Sequence, residues 1–147
     1  PEDRSARRCG GRNTRSGDKL TFEDMLEKGL KYESVETVCD ANTAVTAGSG
    51  DLPAFATPAM VALMENAAMM AVAGNLPEGA TTVGTQISVS HVKASPAGAR
   101  ITASAELVEV DGRRLVFAVR AWDERGTIGE GSHTRFVVDR ERFMSKL

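Results

Sequence analysis

Between Pro58 and Gly74 the run ATPAMVALMENAAMMAVAG, from Ala56 to Gly74, holds only two strongly polar side chains, Glu65 and Asn66. On a helical wheel at about 100° per residue, Glu65 falls beside Val61, Ala68, Met69 and Val72. A carboxylate among such neighbours is costly unless it is partnered or used. Used, it suits a general base that activates water, or a nucleophile that attacks an electrophilic carbon directly. The ordinary alternative is a solvated helix glutamate. His91 closes an apolar strand face, where it either orients Glu65 and passes a proton or simply fills the core or its rim. Thr57 stands at the start of the helix, where the macrodipole is positive and a hydroxyl meets an incoming oxygen. Its ordinary job there is N-cap. Gly84 permits close backbone approach or marks a bulge. Arg135 contacts a substrate or makes a cross-strand ion pair, and His133 shares its strand face by period two.

The elements that must position these residues follow from pattern. Thr57 as N-cap, Pro58 at the first helical position and Gly74 with Asn75 at the end predict a helix of about five turns. Nearly every angle of its wheel is apolar, which predicts burial. Residues 1–19 are rich in Arg, Gly and Ser with almost no apolar side chain, and read as a disordered basic leader. The folded domain is expected over 20–147. Thr21 to Leu30 fits a helical turn or two, and Lys31 to about Asp40 a first strand. The segment Ala41–Ala54 is a loop that leads through Phe55 into the helix, with the length of a lid or pocket wall. Four strands follow: Val83–His91, Ile101–Val110, Arg114–Trp122 and Ile128–Val138. On the first of them Val83, Thr85, Ile87, Val89 and His91 are expected to share a face. Asp111-Gly112 is a strong hairpin signal.

One strand, one buried helix and four strands on short connections describe an antiparallel sheet with a single helix packed on it, an α+β class, since parallel pairing needs crossovers that the later half lacks. A sheet with open edges around one helix favours edge-to-edge pairing into a homodimer or a higher oligomer. The 147 residues carry a net charge of −2, so a nucleic-acid partner has no electrostatic support. No apolar run approaches the roughly eighteen residues that span a bilayer. Cys9 and Cys39 have neither metal-ligand spacing nor a disulfide framework, which fits a reducing, cytoplasmic setting.

The motif ATPAMVALMEN, followed by GTQISVSH and later GSHTR, resembles the fluoroacetyl-CoA thioesterase branch of the hotdog acyl-CoA thioesterases, over most of Tyr32 to Lys146. The resemblance implies the hotdog fold, a five-stranded antiparallel sheet wrapped around one central helix. It also implies a catalytic set of Thr57, Glu65 and His91, and substrate contacts from Gly84 and Arg135. Phe55 is the aromatic available to wall the pocket. The activity implied is hydrolysis of a small or medium acyl-CoA thioester by a homodimer, with no metal or redox cofactor. The alternative of a different class is a non-catalytic hotdog module that binds or senses acyl-CoA. A hotdog hydratase is a weaker option, because its aspartate-to-histidine motif is absent from the approach to the helix.

Overall fold

The computed structural model describes residues 20–147, so the expected leader over 1–19 lies outside the described residues. In chain order it contains α1 (Phe22–Met25), β1 (Lys31–Thr37), a 3-10 turn (Asp40–Asn42), α2 (Ala44–Ala47), the central helix α3 (Thr57–Ala73), β2 (Ala80–His91), β3 (Arg100–Asp111), β4 (Arg114–Asp123), β5 (Gly126–Asp139) and α4 (Arg140–Ser145). The strands form one sheet in the order β1-β3-β4-β5-β2, with every neighbouring pair antiparallel. The hairpin signal is realised where Asp111 pairs with Arg114 and Gly112 takes a φ of 62°, a left-handed value that favours glycine.

Alternation supplies the inner face. Ile101, Ala103, Ala105 and Leu107 of β3, with Leu115, Phe117, Val119 and Ala121 of β4, bury against Met60, Leu63, Met64, Ala67, Ala68, Ala71 and Val72 of α3. The helix lies mainly across β1 and β3. The β5–β2 side of the same face is therefore less covered, and this is where the polar residues of interest collect.

Four expectations need correcting. The central helix is not buried all round: Pro58, Ala62, Asn66 and Met70, four residues apart, form an exposed stripe, with Met70 39% exposed. Thr57 is not the N-cap. Ala56 takes that position without a side-chain bond, its carbonyl accepting from Ala59 and Met60 N–H, and Thr57 and Pro58 are the first two helical residues. The Thr57 hydroxyl is occupied elsewhere, at His91. The segment Ala41–Ala54 is not an open loop. Asn42 is buried and its side chain bonds to Cys39 N, Thr37 O and Glu36, Thr43 caps α2, and Thr43 bridges Phe55.

The fourth correction concerns β2. Its register against β5 shifts between Gly84 and Gln86, leaving Thr85 as the extra residue of a bulge. A one-residue insertion reverses facing, so Val83 and Thr85 do not share the face of Ile87, Val89 and His91. Thr82 and Gly84 turn toward the helix instead, as their contacts with Arg135 and Glu65 show.

Candidate active site

Glu65 sits on the open flank of α3, its side chain 41% exposed. Its Oε2 is 3.7 Å from Arg135 Nη1 and 3.8 Å from His133 Nε2. Gly84 of β2 lies directly opposite: a Cβ there would come within 2.6 Å of Glu65 Oε2, 3.1 Å of His133 Cε1 and 3.3 Å of Arg135 Nη1. A side chain at this place would push the Glu65 carboxylate from its position. Pairing aligns the group, since Gly84 is opposite Arg135 and Ile87 opposite His133 on β5.

Arg135 is only 7% exposed, and a buried guanidinium must be hydrogen-bonded to be tolerated. Its Nε donates to Thr82 Oγ1 at 2.8 Å and its Nη2 to the Thr82 carbonyl at 3.0 Å. Burial lowers its pKa and the Glu65 carboxylate raises it, with the net shift downward. His133, 1% exposed, has Nδ1 2.8 Å from the Gln86 carbonyl and Nε2 3.2 Å from Arg135 Nη1. Burial drives the imidazole below its ordinary pKa of 6.5; the contact with the Gln86 carbonyl and the Glu65 charge oppose this, and Arg135 adds to it. The approach of His133 to Glu65 is therefore that of a neutral ring.

Thr57 and His91 form a second cluster, Oγ1 to Nδ1 at 2.8 Å. The His91 Nε2 is buried and has no hydrogen-bond partner among the described residues. Burial pulls this imidazole below 6.5 as well, against a contact with the Lys93 backbone that raises it. His91 lines a cavity of about 230 Å³ together with Phe55, Val92, Lys93 and Ala94. Phe55 itself is 3% exposed and walls the cavity beside His91. Eight residues separate Thr57 from Glu65, about 12 Å of helix at 1.5 Å per residue. The expected contact between His91 and Glu65 is therefore not made within the chain. His91 meets Thr57, and Glu65 meets Arg135 and His133.

A larger concavity, of about 450 Å³, lies on the outer face of the sheet between Lys31, Glu106, Arg120 and Glu130. Its opposite charges neutralise one another and the helix is on the other side, so the helix face is the better candidate. Among the described residues no group of three or more His, Cys, Asp or Glu could hold a metal ion.

Comparison with known proteins decides the lineage. A sequence profile of the fluoroacetyl-CoA-specific thioesterase family matches residues 38–141, which takes in the central helix, all of β2 to β5 and every residue of both clusters. The chain belongs to the fluoroacetyl-CoA-specific thioesterase family. A fluoroacetyl-CoA thioesterase from Streptantibioticus cattleyicolor is 45% identical over 93 residues, 63% of this chain and 67% of that protein. The solved fluoroacetyl-CoA thioesterase FlK superposes with a TM-score of 0.77 at 36% identity, covering 82% of this chain and 94% of that one. A hot-dog-like protein from Thermanaerovibrio acidaminovorans superposes at 0.78 with 26% identity, covering 85% of this chain and 93% of that one. The fold is thus the hotdog fold. Membership of this thioesterase family also sets the activity class, hydrolysis of an acyl-CoA thioester to the free acid and coenzyme A, over a silent binding module.

Around Glu65, His133 was absent from the catalytic set that the resemblance implies, and Thr82 was not singled out from the sequence. The signal for His133 was its period-two relation to Arg135. The signal for Thr82 lay in the bulge option at Gly84, which turns Thr82 toward the helix once it is realised.

Proposed function

We propose that this thioesterase cleaves a small acyl-CoA with Glu65 as the working carboxylate, Thr57 and His91 as a hydroxyl–imidazole pair, and Gly84 and Arg135 lining the acyl end of the site. Glu65 either attacks the thioester carbonyl carbon itself, giving a mixed anhydride that water then hydrolyses to the free acid, or takes the proton of a water that attacks that carbon. The carbon–sulfur bond breaks and the coenzyme A thiolate leaves with a proton, for which the His91 imidazole is the candidate donor. Arg135 offers fixed positive charge beside the carboxylate, where negative charge moves during acyl transfer. The observation that carries this reading is the convergence of Gly84, His133 and Arg135 on the half-exposed Glu65.

The two clusters lie about two helical turns apart, which supports a homodimer that sets the Thr57–His91 pair of one protomer against Glu65 of the other. The open edge of β2 and the exposed stripe Pro58, Ala62, Asn66 and Met70 are the surfaces that would be covered. A small acyl group is supported by the relatives: solved FlK variants are described with acetyl-CoA and with fluoroacetate and coenzyme A. The cytoplasm is the setting that suits an acyl-CoA substrate and the exposed free thiol of Cys39. The test is thiol release from acyl-CoAs of increasing chain length, native protein beside Glu65→Ala. Hydrolysis of short chains that vanishes in Glu65→Ala is expected; equal rates in the two would sink the assignment.

A further inference from the structure

His133 is held at both ring nitrogens by groups whose hydrogen-bonding roles are fixed by chemistry. The Gln86 carbonyl, 2.8 Å from Nδ1, can only accept, so Nδ1 carries the proton. Arg135 Nη1, 3.2 Å from Nε2, can only donate, so Nε2 presents its lone pair. A ring in that tautomer has no proton to give Glu65. Arg135 in turn spends Nε and Nη2 on Thr82, and the nitrogen left for Glu65 is the same Nη1 that His133 holds. The Gln86 carbonyl reaches His133 from the residue that resumes pairing after the bulge.

We propose that His133 is a positioning residue: as an obligate acceptor it fixes the Nη1 end of Arg135 against Glu65, and its protonation disengages that nitrogen. The proposal rests on the reading of Glu65 as the working carboxylate. The charged groups that face the ring are Glu65 from α3 and Arg135 from β5. Its contact from β2 is the neutral Gln86 carbonyl, and β4 contributes the Phe117 ring, 6.3 Å between centroids. A proton on Nε2 would set two cationic donors against each other and leave Arg135 Nη1 without its acceptor. Burial and Arg135 hold the ring below its ordinary pKa, so the site stays assembled at neutral pH and comes apart as pH falls.

Two variants separate this role from packing. His133→Phe keeps a ring beside Phe117 but offers no acceptor, whereas His133→Gln restores an acceptor for Arg135 and loses the bond to Gln86. Thiol release should fall about tenfold or more in kcat for His133→Phe with KM changed less than about twofold, while His133→Gln stays within about threefold of native. On an Arg135→Met background, His133→Phe should cost less than about twofold further, because its partner is already gone. His133→Phe with native kcat, equal losses in both His133 variants, or an undiminished loss on the Arg135→Met background would each overturn the proposal. Nitrogen NMR of the imidazole gives a readout independent of hydrolysis. A neutral ring protonated on Nδ1 at pH 7 is expected, and a ring protonated on Nε2 would overturn it. A native chain that releases no thiol defeats the reading of Glu65 instead, and the NMR still decides how His133 is held.

Discussion

Gly84→Ala separates the site from the fold that carries it. The backbone at Gly84 needs no left-handed φ, so alanine brings no conformational strain and removes unfolded-state entropy worth about 0.4–1 kcal/mol. Against this, the new Cβ meets Glu65 Oε2 at 2.6 Å, His133 Cε1 at 3.1 Å and Arg135 Nη1 at 3.3 Å. Ordinary contact begins near 3.4 Å, so the carboxylate must retreat by about 0.8 Å. It can do so cheaply, being the end of a flexible side chain that is 41% exposed. His133 is packed and must give by a few tenths of an ångström, which offsets much of the entropic gain. The net change in stability should lie within about 1 kcal/mol, a shift of no more than about 2–4 °C in melting temperature for a domain of this size. A displacement near 1 Å at a reacting group costs on the order of 10²-fold in rate. Thiol release from a short acyl-CoA, read beside a circular-dichroism melt, should show the rate collapsing while the fold persists. Native activity in Gly84→Ala, or activity lost only in step with unfolding, would refute the assignment of this contact to the site.

Thr57→Ala should lower turnover about 10²-fold, the scale of a lost proton-transfer partner, with Thr57→Ser largely active; full activity in the alanine variant would remove the Thr57–His91 pair from the mechanism. His91 and His133, the chain's two histidines, both have lowered folded-state pKa values, so the unfolded chain takes up protons first as pH falls. Stability should be fully present above the unfolded value of about 6.5 and decline below it, by at most about 1.4 kcal/mol per pH unit for each histidine. Melting temperatures from pH 7.5 to 5 measure this, His133→Gln should flatten the slope, and a melting temperature constant over that range would contradict it. Ala62→Lys places a charge in the middle of the exposed helix stripe and should convert a dimer to monomer by sedimentation, with activity lost in parallel. A native chain that sediments as a monomer and still turns over would overturn the shared site.

Periodicity carried most of the architecture. The helix from Thr57 to Ala73, the Asp111-Gly112 hairpin and the inner faces of β3 and β4 follow from local rules that tertiary structure did not override. The neighbourhood of Arg135 and His133 was also legible, because residues two apart on a strand share a face. Three features were not. Gly84 marked a bulge as one of two options, but its realisation at Thr85 depends on the long-range pairing with β5, and it reversed the facing of half of β2. The helix begins one residue earlier than the polar cap signal says: Ala56 is the N-cap, and the Thr57 hydroxyl meets His91, 34 residues away. Where His91 meets the helix was not legible either: it bonds to Thr57, and the rise of the helix puts Thr57 about two turns from Glu65 within one chain.

The account turns on the Glu65 carboxylate, and Glu65→Gln tests it most directly, since the amide keeps shape and hydrogen bonding while losing charge and nucleophilicity. Thiol release and the dissociation constant for a short acyl-CoA should be measured on the same preparation. A rate reduced about 10³-fold or more with affinity held within a few-fold is the predicted result. A glutamine variant that hydrolyses the thioester as fast as the native protein would contradict the central claim.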